Sequence, residues 1–183
     1  MKRIFFDTLF LWGIFLLFSG CVSQYKVVVG FSPQLQEYFN EYPTIEVDIA
    51  AVTEGEAAEV KQEGVEKYFA PGGGLRERLR SQTCFFYREN NGLFVLSSRA
   101  PVWREWALKK PENVLVIASL PYDSAMSKDA DPRLVLVKMK QTYVLAKTLY
   151  FLVEPQKVVQ ASKISGSAEE GKAASSGQWI EVR

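Results

Sequence analysis

The chain's 183 residues include 2 cysteines, Cys21 and Cys84, and no histidine, and that combination bounds the chemistry its side chains can do. Imidazole is the commonest general base near neutral pH and the commonest metal ligand, so its absence removes every Ser-His-Asp and Cys-His arrangement. Thiolate zinc sites fail too, because two cysteines cannot supply a four-ligand shell. Carboxylates remain. Glu54, Glu56 and Glu59 cluster in one segment, and Asp123, Asp129 and Asp131 share another. Glycoside hydrolysis needs two carboxylates facing each other across a cleft, which linear spacing cannot reveal, and solvated charge is the competing account. The Asp-rich segment lacks the alternation of an EF-hand loop. No metal, no cofactor and no catalytic residue is predicted.

The reactive position is Cys21. It follows Phe18-Ser19-Gly20 at the end of an apolar run behind Met1-Lys2-Arg3, the layout of a secretory signal. The run is short for a span of roughly 20 apolar residues, and its extension meets Asp7, costly at membrane depth. Ser19-Gly20-Cys21 resembles the bacterial lipobox, with Phe18 in the place usually held by Leu. That resemblance implies a diacylglycerol thioether on Cys21 and cleavage between Gly20 and Cys21; the competing account is a plain signal peptide or an uncleaved anchor. Two or three acyl chains would hold the protein firmly, where one holds only marginally. In a cell with two membranes, the sorting pattern resembled here, with Val22 and not Asp after the cysteine, implies the outer membrane, facing the periplasm.

Removing residues 1–20 takes away Lys2, Arg3 and Asp7, so the 22 basic and 21 acidic residues become 20 of each. A neutral chain lacks the basic surplus that nucleic-acid binding rests on, so no nucleic-acid partner is predicted. Cys84, within Thr83-Cys84-Phe85-Phe86-Tyr87, would then be the one free thiol, either a small apolar residue in a buried strand or a reactive group. Arg76, Arg78 and Arg80, with Arg99 and Arg104, form either a patch for phospholipid headgroups, peptidoglycan or an acidic partner, or solvated surface. Trp103 and Trp106, flanking Arg104 and Glu105, lie on one face of a helical turn. They either cap the sheet or anchor a protein interface, where Trp and Arg are enriched.

These groups must be held by a mainly β domain. Tyr25–Phe31 reads as a first strand, Ser32-Pro33 starts a short helix to about Tyr42, and Thr44–Val52 reads as a half-buried strand. Residues 54–69 show a helical period interrupted at Gly64, giving two short helices or one kinked helix. Pro71-Gly72-Gly73-Gly74 ends it, without the Lys-Ser/Thr of a phosphate loop, and a brief basic turn follows to Arg80. Cys84–Tyr87 and Leu93–Leu96 flank Asn91-Gly92, a strong hairpin signal. Asn113–Leu120, Leu134–Val137, Tyr143–Ala146, Thr148–Val153 and Val158-Val159 complete the strands, with a polar loop from Pro121 to Pro132. These lack the regular crossover helices of a parallel sheet and predict a β-sandwich, one domain over residues 25–160 with a helical insertion at about 54–80. Residues 21–24 form the anchor and linker, and 161–183 a disordered tail whose Trp179-Ile180 is a docking point or a stray aromatic pair.

Ile45-Glu46-Val47-Asp48-Ile49, Val65-Glu66-Lys67-Tyr68-Phe69-Ala70-Pro71-Gly72 and Asn113–Ala118 are similar to a strand, an aromatic helix with Pro-Gly and an apolar strand of a known family. This is the lipoprotein component of the type VI secretion membrane complex, often called TssJ. The resemblance implies a transthyretin-like β-sandwich without catalytic machinery, docking by a loop onto an inner-membrane secretion component. By position, Tyr122 and Asp123, in the loop running to Asp131, would meet that partner. The alternative kept beside it is an envelope small-ligand binder or carboxylate-based hydrolase.

Overall fold

The computed structural model describes residues 25–40, 44–86, 92–121, 130–140 and 147–164. Among them the elements run β1 (Tyr25–Phe31), α1 (Gln34–Phe39), β2 (Ile45–Val52), α2 (Glu54–Phe69), α3 (Gly74–Leu79), β3 (Gln82–Phe86), β4 (Leu93–Leu96), α4 (Val102–Ala107), β5 (Asn113–Ala118), β6 (Leu134–Lys138), β7 (Lys147–Glu154) and β8 (Lys157–Ala161). Cys21, Asn91, Tyr122, Asp123, Trp179, Ile180 and the strand expected at Tyr143–Ala146 lie outside the described residues. No helix among the described residues is long and apolar enough to cross a membrane.

The strands form two four-stranded sheets, ordered β4-β1-β7-β8 and β3-β2-β5-β6. All pairs are antiparallel except β1 with β7, where Tyr25 lies opposite Lys147 and Phe31 opposite Val153. Strand alternation then sorts the side chains. Val27, Val29, Leu149 and Phe151 of the first sheet meet Val47, Ile49, Val114 and Val116 of the second in one core. Each is at most 2% exposed, and full burial of such a side chain contributes roughly 1.5–3 kcal/mol.

The second sheet is covered on its other face as well. Ala57, Val60, Val65 and Tyr68 of α2, with Leu75 and Leu79 of α3, join the same buried cluster as Leu115 and Ile117. The order is therefore sheet, sheet, helices, and β5 is buried at every residue, which accounts for its unbroken apolar sequence. Helix α2 begins with a capping box between Thr53 and Glu56 and breaks its helical dihedrals at Gly64, where φ is 79° and ψ 164°, so the interrupted period marks a kink in one element. The outer face of the first sheet is apolar across all four strands, in the rows Val95-Val28-Tyr150-Ala161 and Leu93-Gly30-Leu152-Val159. Strand β8 continues through Ala161, and Ile164 lies against Gly30 on that face, beyond the boundary at 160 drawn from composition.

One expectation fails. The strands flanking Asn91-Gly92 do not pair with each other: β3 pairs with β2 in the second sheet and β4 with β1 in the first. The local hairpin signal loses to long-range pairing, since Thr83 must stand opposite Asp48 and Phe94 must face the core opposite Val29. The connection therefore passes from one sheet to the other. Gly92 still adopts the left-handed backbone, φ 63°, and its carbonyl accepts from the Phe31 amide at 2.9 Å.

A side chain on Gly92 would meet both that backbone constraint and the Phe31 Cβ, 3.2 Å from its own Cβ. Gly92→Val is expected to destabilise the domain by about 1–2 kcal/mol from the backbone alone. Denaturant unfolding checks this, and an unchanged midpoint would contradict the turn geometry.

Candidate functional site

Glu46 and Asp48 alternate with the core residues of β2 and so point to the helical side. There Asp48 is 0% exposed. A buried carboxylate is costly unless paired and hydrogen-bonded, and Asp48 is both. Arg76 of α3 donates from Nε to Oδ2 at 2.6 Å and from Nη2 to Oδ1 at 3.0 Å. Its Nη2 also pairs with Glu46 and donates to Thr83 Oγ1, while Thr83 donates to Asp48 Oδ1 at 2.6 Å. Tyr68 donates to Asp48 Oδ2 at 3.0 Å, leaving Ser81 to donate to the Tyr68 oxygen at 2.6 Å. The Arg76 guanidinium lies 5.1 Å from the Phe69 ring centre. Burial and then the Asp48 charge push the Tyr68 hydroxyl up, which keeps it a donor. For Arg76, burial acts to lower its proton affinity, but the hydrogen bonds to Asp48 and Glu46 outweigh it and raise it. Every partner is committed, so this constellation locks α2 and α3 onto β2.

The second constellation surrounds Arg133, 4% exposed. It donates to both carboxylate oxygens of Asp131 at 2.9 and 2.6 Å, to the Leu120 carbonyl at 3.1 Å and to Glu66 of α2 at 2.6 Å. Leu120 precedes the 122–129 stretch and Asp131 follows it, so one guanidinium ties the described residues on both sides of that stretch to the helix. Burial would raise the Asp131 pKa, and the Arg133 hydrogen bonds and charge outweigh it and lower it. A concavity of about 370 Å³ opens here, lined by Val65, Glu66, Phe69, Leu120, Pro121 and Arg133 among others.

The register gives this stem its place. Tyr25 starts β1, and its hydroxyl bonds both the amide and the carbonyl of Lys140, each at 2.7 Å, so Tyr25, Val52, Asn113 and Lys138 share one end of the sandwich. Phe31, Ile45, Ala118 and Leu134 share the opposite end. The Arg133 stem stands at that second end, a strand length of roughly 23 Å from Tyr25.

The sequence-predicted residues distribute as follows. Trp103 and Trp106 are 3% and 1% exposed and stack edge-on, 5.0 Å between centres. Their indole N–H groups donate to the Ser97, Leu79 and Arg80 carbonyls, so both rings pack inside the domain. Arg104, between them, is exposed. Arg76, Arg78 and Arg80 do not form a shared patch, since each pairs separately, with Asp48 and Glu46, with Glu59 and with Glu105. Glu54, Glu56 and Glu59 likewise face Lys138, Lys109 and Arg78. Cys84 is buried, donates to the Val47 carbonyl at 3.3 Å, and has its thiol pushed up by burial and then by Asp48. Sequence reasoning missed Asp48 and Arg133. Two acids alternating with apolar residues, Glu46 and Asp48, were the available signal for the first; the ion pair two residues apart in Asp131-Pro132-Arg133 was that for the second.

No family model and no curated protein sequence matches this chain. Solved structures do resemble it. Serratia marcescens Lip, a membrane-bound component of the type VI secretion system, aligns at a TM-score of 0.50 and 12% identity, covering 78% of this chain and all of Lip. A chain of the solved structure of the T6SS protein TssM C-terminal domain (869–1107) from EAEC aligns at a TM-score of 0.50 and 8% identity, covering 76% of this chain and 98% of that one. At these identities the likeness concerns the fold, a mostly β, single-domain sandwich with a few short helices.

Arg76→Ala would leave Asp48 buried without its cation, a loss of about 3 kcal/mol, the lower end for buried pairs because Arg76 is 26% exposed. Urea unfolding measures it, and a loss below 1 kcal/mol would mean the network is dispensable. Asp131 has a lowered folded pKa, so its contribution is full above the unfolded value of about 3.9 and is lost as pH falls toward the folded one. Asp131→Asn is expected to flatten the fall in stability below about pH 4, and parallel wild-type and variant curves would contradict the pairing.

Proposed function

We propose that the chain is a lipid-anchored, non-catalytic interaction component of an envelope assembly, specifically of the type VI secretion membrane complex. In this reading residues 1–20 are removed, Cys21 carries the lipid, 21–24 link it to the sandwich, and the tail follows the domain. The protein sits at the outer membrane, facing the periplasm, and meets a protein partner, an inner-membrane secretion component, through Tyr122, Asp123 and the loop they begin.

The observation that carries the reading is polarity along the strands. The anchor side of the chain enters at Tyr25, while the Arg133-clamped loop stem stands at the opposite end. A tether at one end and a fixed stem at the other is how a small domain holds something away from a membrane. Lip, which shares the fold, is a membrane-bound component of that secretion system. The carboxylate reading finds less support. Glu54, Glu56 and Glu59 are drawn to three different cations, and Asp131 and Glu66 are both held by Arg133. Among the described residues no group of three Asp, Glu or Cys side chains is arranged to hold a metal.

The lipidated protein, purified from membranes, tests this. Tyr122→Ala, Asp123→Ala or Arg104→Ala is expected to lose the co-purifying secretion component; a hot-spot loss is roughly 2 kcal/mol or more of binding. Cys21→Ser should leave an uncleaved form or one that high salt releases from membranes. Partner recovery that survives every variant, or turnover of an envelope substrate abolished by acidic substitutions, would favour the enzyme reading instead.

A further inference from the structure

The end of the sandwich that holds Tyr25 has an unusual surface. Registers place Arg99 just past the end of β4, Lys140 past the end of β6, and Lys147 at the start of β7, all exposed. Between α4 and β5 the chain crosses the same end, since the Glu112 amide donates to the Val52 carbonyl at 2.9 Å. That crossing carries exposed Lys110 and, beside it, Leu108, which is 88% exposed, the highest among the large apolar side chains of the described residues. The acids here are largely committed: Glu54 pairs with Lys138, Glu56 with Lys109 and Glu105 with Arg80, leaving Glu112. This end is therefore basic in a chain whose formal net charge is only +1. At the other end Arg133 pairs with Glu66 and Asp131, and Lys157 with Glu154.

We infer that this basic end, with Leu108 at its tip, is a contact surface for an anionic lipid bilayer. Geometry selects that occupant. Cys21 and Tyr25 are four residues apart, so a fully extended chain separates them by at most about 14 Å. Tyr25 cannot swing free, because it is 1% exposed and both its hydroxyl bonds go to Lys140. A lipid on Cys21 thus holds this end against headgroups. Lysine and arginine near an anionic surface are attracted within a Debye length, about 8 Å at physiological ionic strength. A lone exposed leucine is unexceptional on a protein surface. Set among cations at the tether end, it has an apolar phase within reach, and the basic stems beside it can lie at the interface with their charges toward phosphate. The sandwich then stands on end, with the Arg133 stem farthest from the lipid.

The occupant rests on the lipid-anchor reading, so the test has two arms. In the first, the lipidated full chain carries an environment-sensitive fluorophore at Leu108→Cys, with Gln156→Cys as a control at the other end. Vesicles are of phosphatidylcholine alone or with phosphatidylglycerol. The expected result is a blue-shifted position 108, quenched by lipid spin labels, in phosphatidylglycerol vesicles only, reversed by high salt, with position 156 unchanged. In the second arm the Cys21→Ser full chain is sedimented with the same vesicles, and Lys110→Glu should lower its partitioning about tenfold. A water-like position 108 in anionic vesicles, equal signals with and without phosphatidylglycerol, or partitioning indifferent to Lys110→Glu would each overturn the inference. Absence of lipid on Cys21 by mass spectrometry would sink the anchor reading alone, because the second arm does not depend on it.

Discussion

A carboxylate with no exposure to water, Asp48, sits on the helical side of the second sheet, and the arrangement of the domain follows from the need to satisfy it. Buried ion pairs add little net stability compared with apolar packing, but an unpaired one is severely penalised. The penalty acts as a selector. Only a chain that brings α2 and α3 back over β2 can place Arg76 and Tyr68 on Asp48, and only with β3 beside β2 does Thr83 reach the same carboxylate. The helical insertion is thereby fixed in position as well as covered by apolar contact.

Once α2 is fixed, its far end can take part in a second device. Glu66 and the wall formed by Val65 and Phe69 stand beside Arg133, so the loop stem is braced by the helix as well as by its own Asp131. The two constellations are coupled through one helix: one orients it and the other uses it. Tyr25 and the Arg133 cluster stand at opposite ends of the strands, with the core between them.

Much of this was legible in the residues. β1 coincides with its expected range, β2, β5, β6, β7 and β8 fall where the apolar runs and turn residues put them, and the Gly64 interruption is a kink. Local signals of that kind depend on the few residues they contain. Pairing does not: Asn91-Gly92 suggested that β3 and β4 were partners, and the competing long-range register put them in different sheets. For the same reason the arginines and acids resisted reading. Arg76 looks like Arg78 and Arg80 in sequence, yet only its position opposite β2 makes it a partner for a buried acid. Trp103 and Trp106 fit packing or an interface in sequence, and only the fold brings their N–H groups to backbone carbonyls. The anchor motif and the loop residues Tyr122 and Asp123 rest on sequence and on the geometry of the residues around them.

The central claim is that the two ends of the sandwich face different surroundings, lipid at the Tyr25 end and protein at the Arg133 end. Photo-crosslinking in native membranes tests this most directly, with the reactive amino acid at Pro121 beside the loop stem or at Ser98 beside the tether. The account predicts that Pro121 captures a component of the secretion membrane complex while Ser98 captures lipid. Protein captured at Ser98 with none at Pro121 would contradict it.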